Sequence, residues 1–432
     1  MKENSINENV AMHPLDWQVR QIDLLWKHVA YAMAQSKYYN TYWKQLKDFN
    51  ADRFTLKQFA DLPFTSKADL SQFNEDFRCV EKQRVADYVT TSGTTGDPIT
   101  FYLTAQDLDR LAENEAQSMR ITGANNSDVF QLITTIDKRF MAGIAYFLGT
   151  QKLGAGIVRN GPGSASFQWD SILRFEPTIL IAIPSYIPQL IKYARENNID
   201  PNQSSVKKII CIGEPIRKLD FSLNELGIEI TKHWQVDLYS TYASTEMGAA
   251  FTECSEGKGG HLQPDLLYLE VLDENGQEVQ SGEVGEVVVT PLGVEGMPLL
   301  RYRTGDICRV YKEPCKCGKT TWRLGPVVGR KNQMLKIKGT TLFPQVIYDV
   351  LDRLEDLPTY LLEVKCSEFG TDVLTVLLPD TVKSIPLKEK VKSLLRAKLR
   401  VVPEIDFVPL DKIVEVRNNP DQRKEIKMLD LR

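Results

Sequence analysis

The sequence lacks the features that mark membrane, secreted and nucleic-acid-binding proteins. No run approaches the ~20 consecutive apolar residues that a membrane-spanning helix requires, and residues 1–14 lack the apolar core of a secretory signal. The 53 Lys and Arg residues nearly balance the 57 Asp and Glu residues, so no global charge favours nucleic acid or an anionic membrane. These absences predict a cytoplasmic protein that binds neither nucleic acid nor membranes.

Cysteine is also scarce: the chain has seven, an odd number, and they are widely scattered. This usage argues against a disulfide framework and for reduced thiols, in keeping with a cytoplasmic protein. One pair lies close together, in the segment Cys315-Lys316-Cys317-Gly318. That pair needs an explanation of its own.

The chain is long enough for more than one domain, because its 432 residues exceed the ~250–300 at which a single core stops growing. From about residue 128 to 245, short apolar runs alternate with helical stretches. The predicted strands are 129–133, 155–158, 179–183 and 209–212, and the predicted helices are 141–150, 166–175, 185–196 and 217–225. This alternation predicts βαβ units and a mainly parallel sheet, whose ligands bind beyond the carboxyl ends of the strands.

Two further patterns follow along the chain. Between about 262 and 330, short strands joined by tight turns predict a small antiparallel β-barrel subdomain. After that come a hairpin, helices at 344–354 and 387–399, and strands at 360–366, 372–378 and 404–409, which predict a compact α+β domain. The predicted fold is therefore α/β, with a large N-terminal domain of residues 1–331 and a small α+β C-terminal domain of residues 332–432.

A loop rich in hydroxyls and glycine occupies residues 90–98, T-T-S-G-T-T-G-D-P. It is not a Walker phosphate loop, which requires a lysine directly after its second glycine, where this chain has Asp97. Its glycines still allow backbone N–H groups to approach phosphate oxygens, and its hydroxyls add neutral donors. A plain turn before a strand at 98–103 explains the same residues, so the loop alone does not decide between the two.

Four more stretches join this loop. Y-A-S-T-E at 242–246 follows the strand-like segment 237–239, so it is predicted to lie on a loop at the carboxyl end of a strand. R-Y-R-T-G-D at 301–306 places a lone carboxylate after a strand and a glycine. The others are G-R at 329–330, followed by K-I-K-G at 336–339, and R-K-E-I-K-M-L-D at 423–430. Each has an ordinary structural explanation when taken alone. Together and in this order, they resemble the adenylate-forming superfamily, and within it the phenylacetate–CoA ligase family. The resemblance runs from about residue 62 to 430.

The resemblance implies an AMP-forming acid–CoA ligase for an aryl acid such as phenylacetate. Such an enzyme joins a carboxylate to ATP, releases pyrophosphate, and transfers the acyl group from the adenylate to coenzyme A. A carboxylate with a pKa of ~4 is already ionised at pH 7, so the reaction needs no general base. The difficulty is to bring one anion to another, which charge neutralisation and positioning must overcome.

The resemblance also assigns nucleotide-binding residues. The loop would hold the β- and γ-phosphates, Thr245 would donate to the α-phosphate, and Glu246 would hold Mg²⁺ through carboxylate oxygen. Tyr242 would stack on adenine beside the backbone of residues 213–215, while Asp306 would accept from both ribose hydroxyls and Arg330 would brace the ribose. The full set is Thr91, Ser92, Gly93, Thr94, Thr95, Gly96, Gly213, Glu214, Pro215, Tyr242, Thr245, Glu246, Asp306 and Arg330.

By the same resemblance, Lys424 is the cation that neutralises the attacking carboxylate and the α-phosphate. Relatives carry glycine before this lysine, whereas this chain carries Arg423, so Lys427 and Arg423 remain alternatives. The C-terminal domain would then rotate about a hinge at Asn332, where relatives carry Asp or Lys. This mobile domain would present Lys338 and Gly339 to coenzyme A.

A mostly apolar set at predicted strand ends suits an aryl pocket: Phe140, Met141, Gly143, Ile183 and Pro184. The same residues would equally suit a core. The expected partners are a small carboxylic acid, ATP and coenzyme A, and both a monomer and a homodimer stay open. Two alternative functions are an adenylating enzyme that loads a carrier protein or transfers AMP to a cofactor, and a nucleotide- or metal-dependent binding protein without turnover.

A structural zinc site is the last prediction from the sequence. Cys315-x-Cys317-Gly318 has the shape of a zinc knuckle, in which the glycine permits the sharp bend between two thiolates. Cys254-x₆-His261 would supply two more ligands if the two loops meet. Two ordinary thiols and a surface histidine are the alternative.

Overall fold

The computed structural model describes residues 14–43, 55–91, 98–337, 340–354, 356–366, 372–399, 403–418 and 426–432. Several residues predicted from the sequence lie outside this described part: Ser92, Gly93, Thr94, Thr95, Gly96, Lys338, Gly339, Arg423 and Lys424. The chain divides into two compact units, Met1–Thr304 with Cys308–Pro326, and Gly305–Ile307 with Val327–Arg432. Each unit is described by itself.

Several helices of the first unit begin at a polar side chain that caps them. Thr55, Ser66 and Thr104 each accept a hydrogen bond from the third residue of the helix that follows, which satisfies an otherwise unpaired N–H group. The first two helices are separated at Ser36, whose side chain caps the second of them. The helices are α1 Pro14–Gln35, α2 Lys37–Tyr42, α3 Leu56–Ala60, α4 Lys67–Gln72, α5 Ala105–Ile121, α6 Met141–Leu153, α7 Ala165–Phe175, α8 Ile187–Glu196 and α9 Glu225–His233.

The strands of this unit are β1 Asp87–Thr90, β2 Thr100–Leu103, β3 Val129–Leu132, β4 Gly156–Arg159, β5 Ile179–Ala182, β6 Lys208–Cys211, β7 Asp237–Ser244, β8 Ala249–Glu253, β9 Gly260–His261, β10 Leu267–Leu272, β11 Val284–Pro291, β12 Tyr302–Tyr311 and β13 Arg323–Leu324. A parallel group runs in the order β4-β3-β5-β6-β7. All four residues of β5 are buried, as expected for a central parallel strand covered on both faces. The strand order reverses at β3, and ligands of such sheets bind at this kind of switch point.

Antiparallel strands continue the same sheet. β7 turns back into β8, β8 pairs with β9, β9 with β13 and β13 with β12, while β10 and β11 form an antiparallel pair. β1 and β2 form a separate two-stranded antiparallel sheet. The topology confirms a mainly parallel α/β sheet followed by antiparallel strands.

The helix predicted at 217–225 is wrong. The structure places the helix at Glu225–His233, with Asn224 as its N-cap accepting from the N–H of Gly227. The preceding segment turns instead, because the Asp220 carboxylate accepts hydrogen bonds from the backbone and side chain of Ser222. Short polar side chains of this kind favour turns over helix.

The second unit is a small α+β fold. Its elements are β14 Gly329–Arg330, β15 Leu335–Ile337, β16 Thr340–Leu342, α10 Pro344–Leu351, β17 Leu361–Cys366, β18 Asp372–Pro379, α11 Ile385–Leu399, β19 Glu404–Val408, α12 Leu410–Arg417 and β20 Met428–Asp430. Its four-stranded sheet has the order β19-β18-β17-β20, and α10 and α11 pack on it through Ile347, Leu351, Val391 and Leu395. Among the described helices of the chain, none is both long and apolar enough to span a bilayer.

Candidate active site

The carboxyl ends of the parallel strands gather several of the predicted residues at one edge of the sheet. Residues 183–184 follow β5, and residues 213–215 follow its neighbour β6. The Glu214 carboxylate accepts hydrogen bonds from the Ser185 N–H at 3.1 Å and the Ser185 hydroxyl at 3.0 Å. These two bonds join the loops after the two strands. Gly213, with φ of 77°, supplies a left-handed turn between β6 and Glu214.

The root of the glycine-rich loop lies beside the loop that follows β3. Thr91 and Ile99 close the root, with the Thr91 N–H donating to the Ile99 carbonyl at 3.0 Å and the Ile99 N–H donating to Thr91 Oγ1 at 3.1 Å. The Thr90 N–H donates to the Arg139 carbonyl at 3.0 Å. The loop therefore connects the two strands of a short hairpin, and this hairpin is fixed next to the switch point of the sheet.

Tyr242, Ala243 and Ser244 lie in a strand and not in the loop predicted from the sequence. β7 extends to Ser244 because residues 241–244 pair antiparallel with residues 249–252. The Tyr242 ring stacks near Phe251, with centroids 6.0 Å apart. Ala243 pairs with Ala250 as an ordinary strand residue.

Thr245 and Glu246 lie in the turn between β7 and β8. Ser244 holds this turn, because its hydroxyl accepts from the Met247 N–H at 3.2 Å and its carbonyl accepts from the Gly248 N–H at 3.3 Å. Glu246 is partly exposed, and its Oε1 lies 3.4 Å from the Tyr302 hydroxyl. A carboxylate offers about four lone-pair positions, and within the described residues only this long contact uses one of them. Glu246 is therefore suited to bind a hard cation such as Mg²⁺.

The predicted pocket residues have different surroundings. Met141 lines a small cavity together with Thr245, Glu246 and Met247. Ile183 is partly exposed and Pro184 is buried at the end of β5, while Phe140 precedes α6. Gly143 has a packing role instead, because a Cβ there would lie only 2.0 Å from the Thr135 carbonyl oxygen. It lets α6 approach the loop after β3.

In the second unit, Asp306 and Arg330 form an ion pair. Arg330 Nε lies 3.0 Å from Asp306 Oδ1, and the two residues are directly opposite in the pairing of β12 with β14. Asp306 lies within β12, whereas the sequence suggested a position after a strand. The preceding Gly305 has φ of 74°, which allows the strand to continue through it.

Lys427, an alternative to Lys424, is engaged within the second unit. Its Nζ lies 3.2 and 3.0 Å from the two carboxylate oxygens of Asp352. The Tyr360 hydroxyl donates to the same carboxylate at 2.6 Å, and the Lys427 ammonium also lies over the Tyr348 and Tyr360 rings. The charge of Lys427 is thus neutralised by a local partner. The predicted hinge residue Asn332 lies in a short 3₁₀ helix, Lys331–Gln333.

The four predicted zinc ligands meet. Cys254 follows β8, His261 lies in β9, and Cys315 and Cys317 lie on the turn closed by Gly318. Their ligand atoms all lie within 4.8 Å of one another, with Cys254 Sγ to Cys315 Sγ at 3.8 Å and Cys317 Sγ to His261 Nε2 at 3.6 Å. For a tetrahedral zinc with bonds of about 2.3 Å to sulfur and about 2.05 Å to nitrogen, these edges would be about 3.8 and about 3.6 Å.

Burial, together with the positive charges of Lys319 and Arg323, lowers the pKa of His261 to about 4. The imidazole is therefore neutral, which is the form that binds a metal. All four positions offer nitrogen or sulfur, the donor set that zinc prefers.

Sequence reasoning missed the buried charged residues behind the site. Glu253 on β8 pairs with Arg217, and its Oε1 also accepts from the Ser240 N–H of β7 at 2.7 Å. On α5, Arg110 and Asn114 bind the turn and the start of β8. One feature of the sequence could have indicated the residues on α5: polar side chains recur at helical spacing along one face of this helix, and the structure buries them. These residues are Asp107, Arg110, Asn114 and Ser118.

Comparison with known proteins gives consistent matches. Residues 36–294 match the model of the family described as AMP-binding enzyme. A phenylacetate-coenzyme A ligase of Aromatoleum evansii is 33% identical over 328 residues, covering 74% of this chain and 72% of that protein. One of Thermus thermophilus is 31% identical, covering 72% and 69%. A solved structure of 2-hydroxyisobutyryl-CoA ligase in the postadenylation state, with R3-HIB-AMP, has a TM-score of 0.82 at 20% identity and covers 100% of this chain and 94% of that chain.

Proposed function

This chain belongs to the AMP-binding enzyme family, among the phenylacetate–CoA ligases, and from that premise we propose that it is an AMP-forming aryl acid–CoA ligase. Phenylacetate is the proposed substrate because relatives of that name are 28–33% identical to this chain. The observation that carries the proposal is the turn after β7. It holds Thr245 and Glu246 at the edge of the sheet where the loops after β5 and β6 also begin.

In the first step, an oxygen of the substrate carboxylate attacks the α-phosphorus of ATP, and the bond to pyrophosphate breaks. Both reactants are anions, so the protein must supply positive charge and hydrogen-bond donors. Thr245 would donate to the α-phosphate, Lys424 would neutralise the approaching carboxylate, and the loop rooted at Thr91 would hold the β- and γ-phosphates. Mg²⁺ bound by Glu246 would neutralise phosphate oxygens.

In the second step, the sulfur of coenzyme A attacks the acyl carbon, and AMP leaves. We assign Lys338 and Gly339 to coenzyme A and Asn332 to the hinge, on the resemblance to the family alone. The runner-up function is an adenylating enzyme that loads a carrier protein or transfers AMP to a cofactor. Loading of a carrier protein shares the first step and differs only in the acyl acceptor, whereas transfer of AMP to a cofactor would move the adenylyl group in place of the acyl group. A homodimer also remains a prediction.

The acid would enter at the switch point of the sheet, beyond β3 and β5. Phe140, Met141, Ile183 and Pro184 follow these strands and are apolar, as a pocket for an aromatic ring requires. The bond between Glu214 and Ser185 supports one wall of this region. Gly143 is left out of the proposed pocket because it is needed for packing.

The function is tested by acid-dependent exchange of pyrophosphate into ATP, measured with a panel of aryl and alkyl acids. We expect exchange with phenylacetate or a close aryl acid, and thioester formation when coenzyme A is added. Exchange without thioester would favour the carrier-protein alternative. If no acid in the panel supported exchange, the ligase proposal would be abandoned in favour of a binding protein.

Asp306 should determine recognition of the ribose. Asp306→Asn keeps the side-chain shape but removes the charged acceptor, so we expect the KM for ATP to rise ~10–100-fold, the scale of a lost hydrogen bond to a charged group. The wild-type preference for ATP over 2′-deoxy-ATP should shrink in the variant. Arg330→Gln, which breaks the ion pair but keeps the carboxylate, is the matched control and should raise the KM for ATP less than Asp306→Asn does. An unchanged preference in Asp306→Asn would refute the assignment.

We also propose that Cys254, His261, Cys315 and Cys317 hold one structural zinc. Four protein ligands complete a tetrahedron and leave no open position, so the metal would stabilise the fold and would not activate water. The cluster joins the end of β8, β9 and the turn after β12. Its role would therefore be to fasten the antiparallel strands that continue from β7.

A further inference from the structure

Arg110 is a buried cation on α5 whose contacts are backbone carbonyls. Its side chain is almost fully enclosed, at 8% exposure, and its guanidinium donates to the carbonyls of Gly248, Leu266 and Leu292, the last at 2.6 Å. These carbonyls belong to three separate segments of the first unit. Burial of a cation is unfavourable unless its donors are satisfied, so this arrangement is a specific connection and not simple filling of the core.

One of the three carbonyls belongs to the turn with Thr245 and Glu246. Gly248 closes that turn, and its φ of 52° lies in the left-handed region. Asn114, four residues after Arg110 on the same face of α5, accepts from the Ala250 N–H at 3.0 Å. The helix therefore fixes the end of the turn and the start of β8 at two neighbouring points.

We propose that Arg110 is a positioning residue for the turn that presents Thr245 and Glu246 to the magnesium–ATP complex. The inference rests on the proposed function, since it assumes that Glu246 binds the metal. Arg110 itself would contact neither ATP nor metal. It would act by holding the backbone two residues after Glu246, so that the carboxylate keeps one position.

The shape of the guanidinium makes a sharp test possible. Arginine has five N–H donors in a rigid planar fork, whereas lysine concentrates its donors on one atom. Lys at this position keeps the buried charge and most of the volume, but it cannot reach three carbonyls on separate segments. Arg110→Lys should therefore release the turn while it changes the core little.

The expected result for Arg110→Lys is about tenfold weaker binding of ATP with Mg²⁺, the scale of one lost hydrogen bond to a charged group. Binding of ATP in magnesium-free buffer, with no chelator that would also remove the proposed zinc, should stay within about twofold of wild type, because the contact between Glu246 and the metal is then absent from both proteins. Calorimetric titration of ATP under both conditions measures this without turnover. In the exchange assay, the Mg²⁺ concentration for half-maximal rate should rise in parallel.

A double-mutant cycle separates positioning from general destabilisation. In a Glu246→Gln background, Arg110→Lys should have little further effect on ATP binding with Mg²⁺, since both changes remove the same contact. Thr122→Val is the matched structural control, because Thr122 is buried at the end of α5, and its hydroxyl donates to the Met119 carbonyl at 2.7 Å. It should lower the melting temperature without changing Mg²⁺ dependence.

Each outcome decides the proposal. The positioning role is rejected if Arg110→Lys changes the affinity for ATP, relative to wild type, by the same factor with and without Mg²⁺. It is also rejected if Arg110→Lys has its full effect on ATP binding in the Glu246→Gln background. If Arg110→Lys does not fold, Asn114→Ala replaces it. We expect Asn114→Ala to weaken ATP binding with Mg²⁺ by a smaller factor, and an unchanged affinity would count against the proposal. Wild-type protein that binds magnesium–ATP but exchanges with no acid would reject the ligase function alone.

Discussion

Lys424→Ala is expected to slow the activation of the acid by ~10²–10³-fold, the effect of removing one electrostatic donor from a reaction between anions. Attack of coenzyme A on a supplied acyl-adenylate should stay nearly unchanged, because the phosphate charge is no longer being built up in that step. The two half-reactions are measured separately, by pyrophosphate exchange and by thioester formation from synthetic adenylate. Equal losses in both would mean that Lys424 is not specific to adenylation.

Lys427→Ala is the matched comparison for this prediction. The Lys427 ammonium is bound to both oxygens of Asp352 and lies over two tyrosine rings of the second unit. Its charge is already compensated there, so its loss should affect stability more than adenylation. A larger fall in exchange for Lys427→Ala than for Lys424→Ala would contradict the choice of Lys424, which rests on the resemblance alone.

Cys317→Ser is expected to remove one bound zinc per chain and to destabilise the first unit by about 4 kcal/mol or more, as loss of a structural metal does. Metal content by mass spectrometry and the melting temperature measure the two effects. Cys366→Ser is the control, because Cys366 is an exposed thiol in β17 of the second unit. It should change neither quantity.

Treatment of the wild-type protein with a strong chelator is an independent test of the zinc site that needs no substitution. It should lower the melting temperature to that of Cys317→Ser, and added zinc should restore it. Wild-type protein that is free of metal and equally stable after chelation would refute the zinc site while leaving the ligase assignment intact.

The parallel sheet could be predicted because most of its strands are short, mainly apolar runs. Ile179–Ala182 is buried along its whole length, and this is visible in the sequence as an unbroken aliphatic segment. The four zinc-ligand candidates could also be selected from the sequence, since Cys-x-Cys-Gly is uncommon in a chain with few cysteines. Their convergence depends on the pairing of β9 with β13, which no local pattern encodes.

The errors arose where long-range pairing overrides local signals. Tyr242 followed an apolar run and so suggested a loop, but the antiparallel partner at residues 249–252 extends the strand. The helix predicted at 217–225 failed because capping by Asn224 outweighed the apolar spacing before it. Arg110 was missed because a charged residue on a helix usually faces solvent, and only the tertiary structure supplies its three carbonyls.

The hairpin formed by β7 and β8 has one more consequence for catalysis. Arg110 and Asn114 hold the start of β8, and Cys254 lies directly beyond its end, in the Cys/His cluster. With the proposed zinc bound, β8 would be fastened at both ends, and the turn that leads into it would lose conformational freedom when the protein folds, before any nucleotide arrives. Preorganisation of this kind means that binding energy need not be consumed in ordering the turn. More of it then remains to hold carboxylate and α-phosphate in reacting geometry, where two anions gain most from being correctly placed.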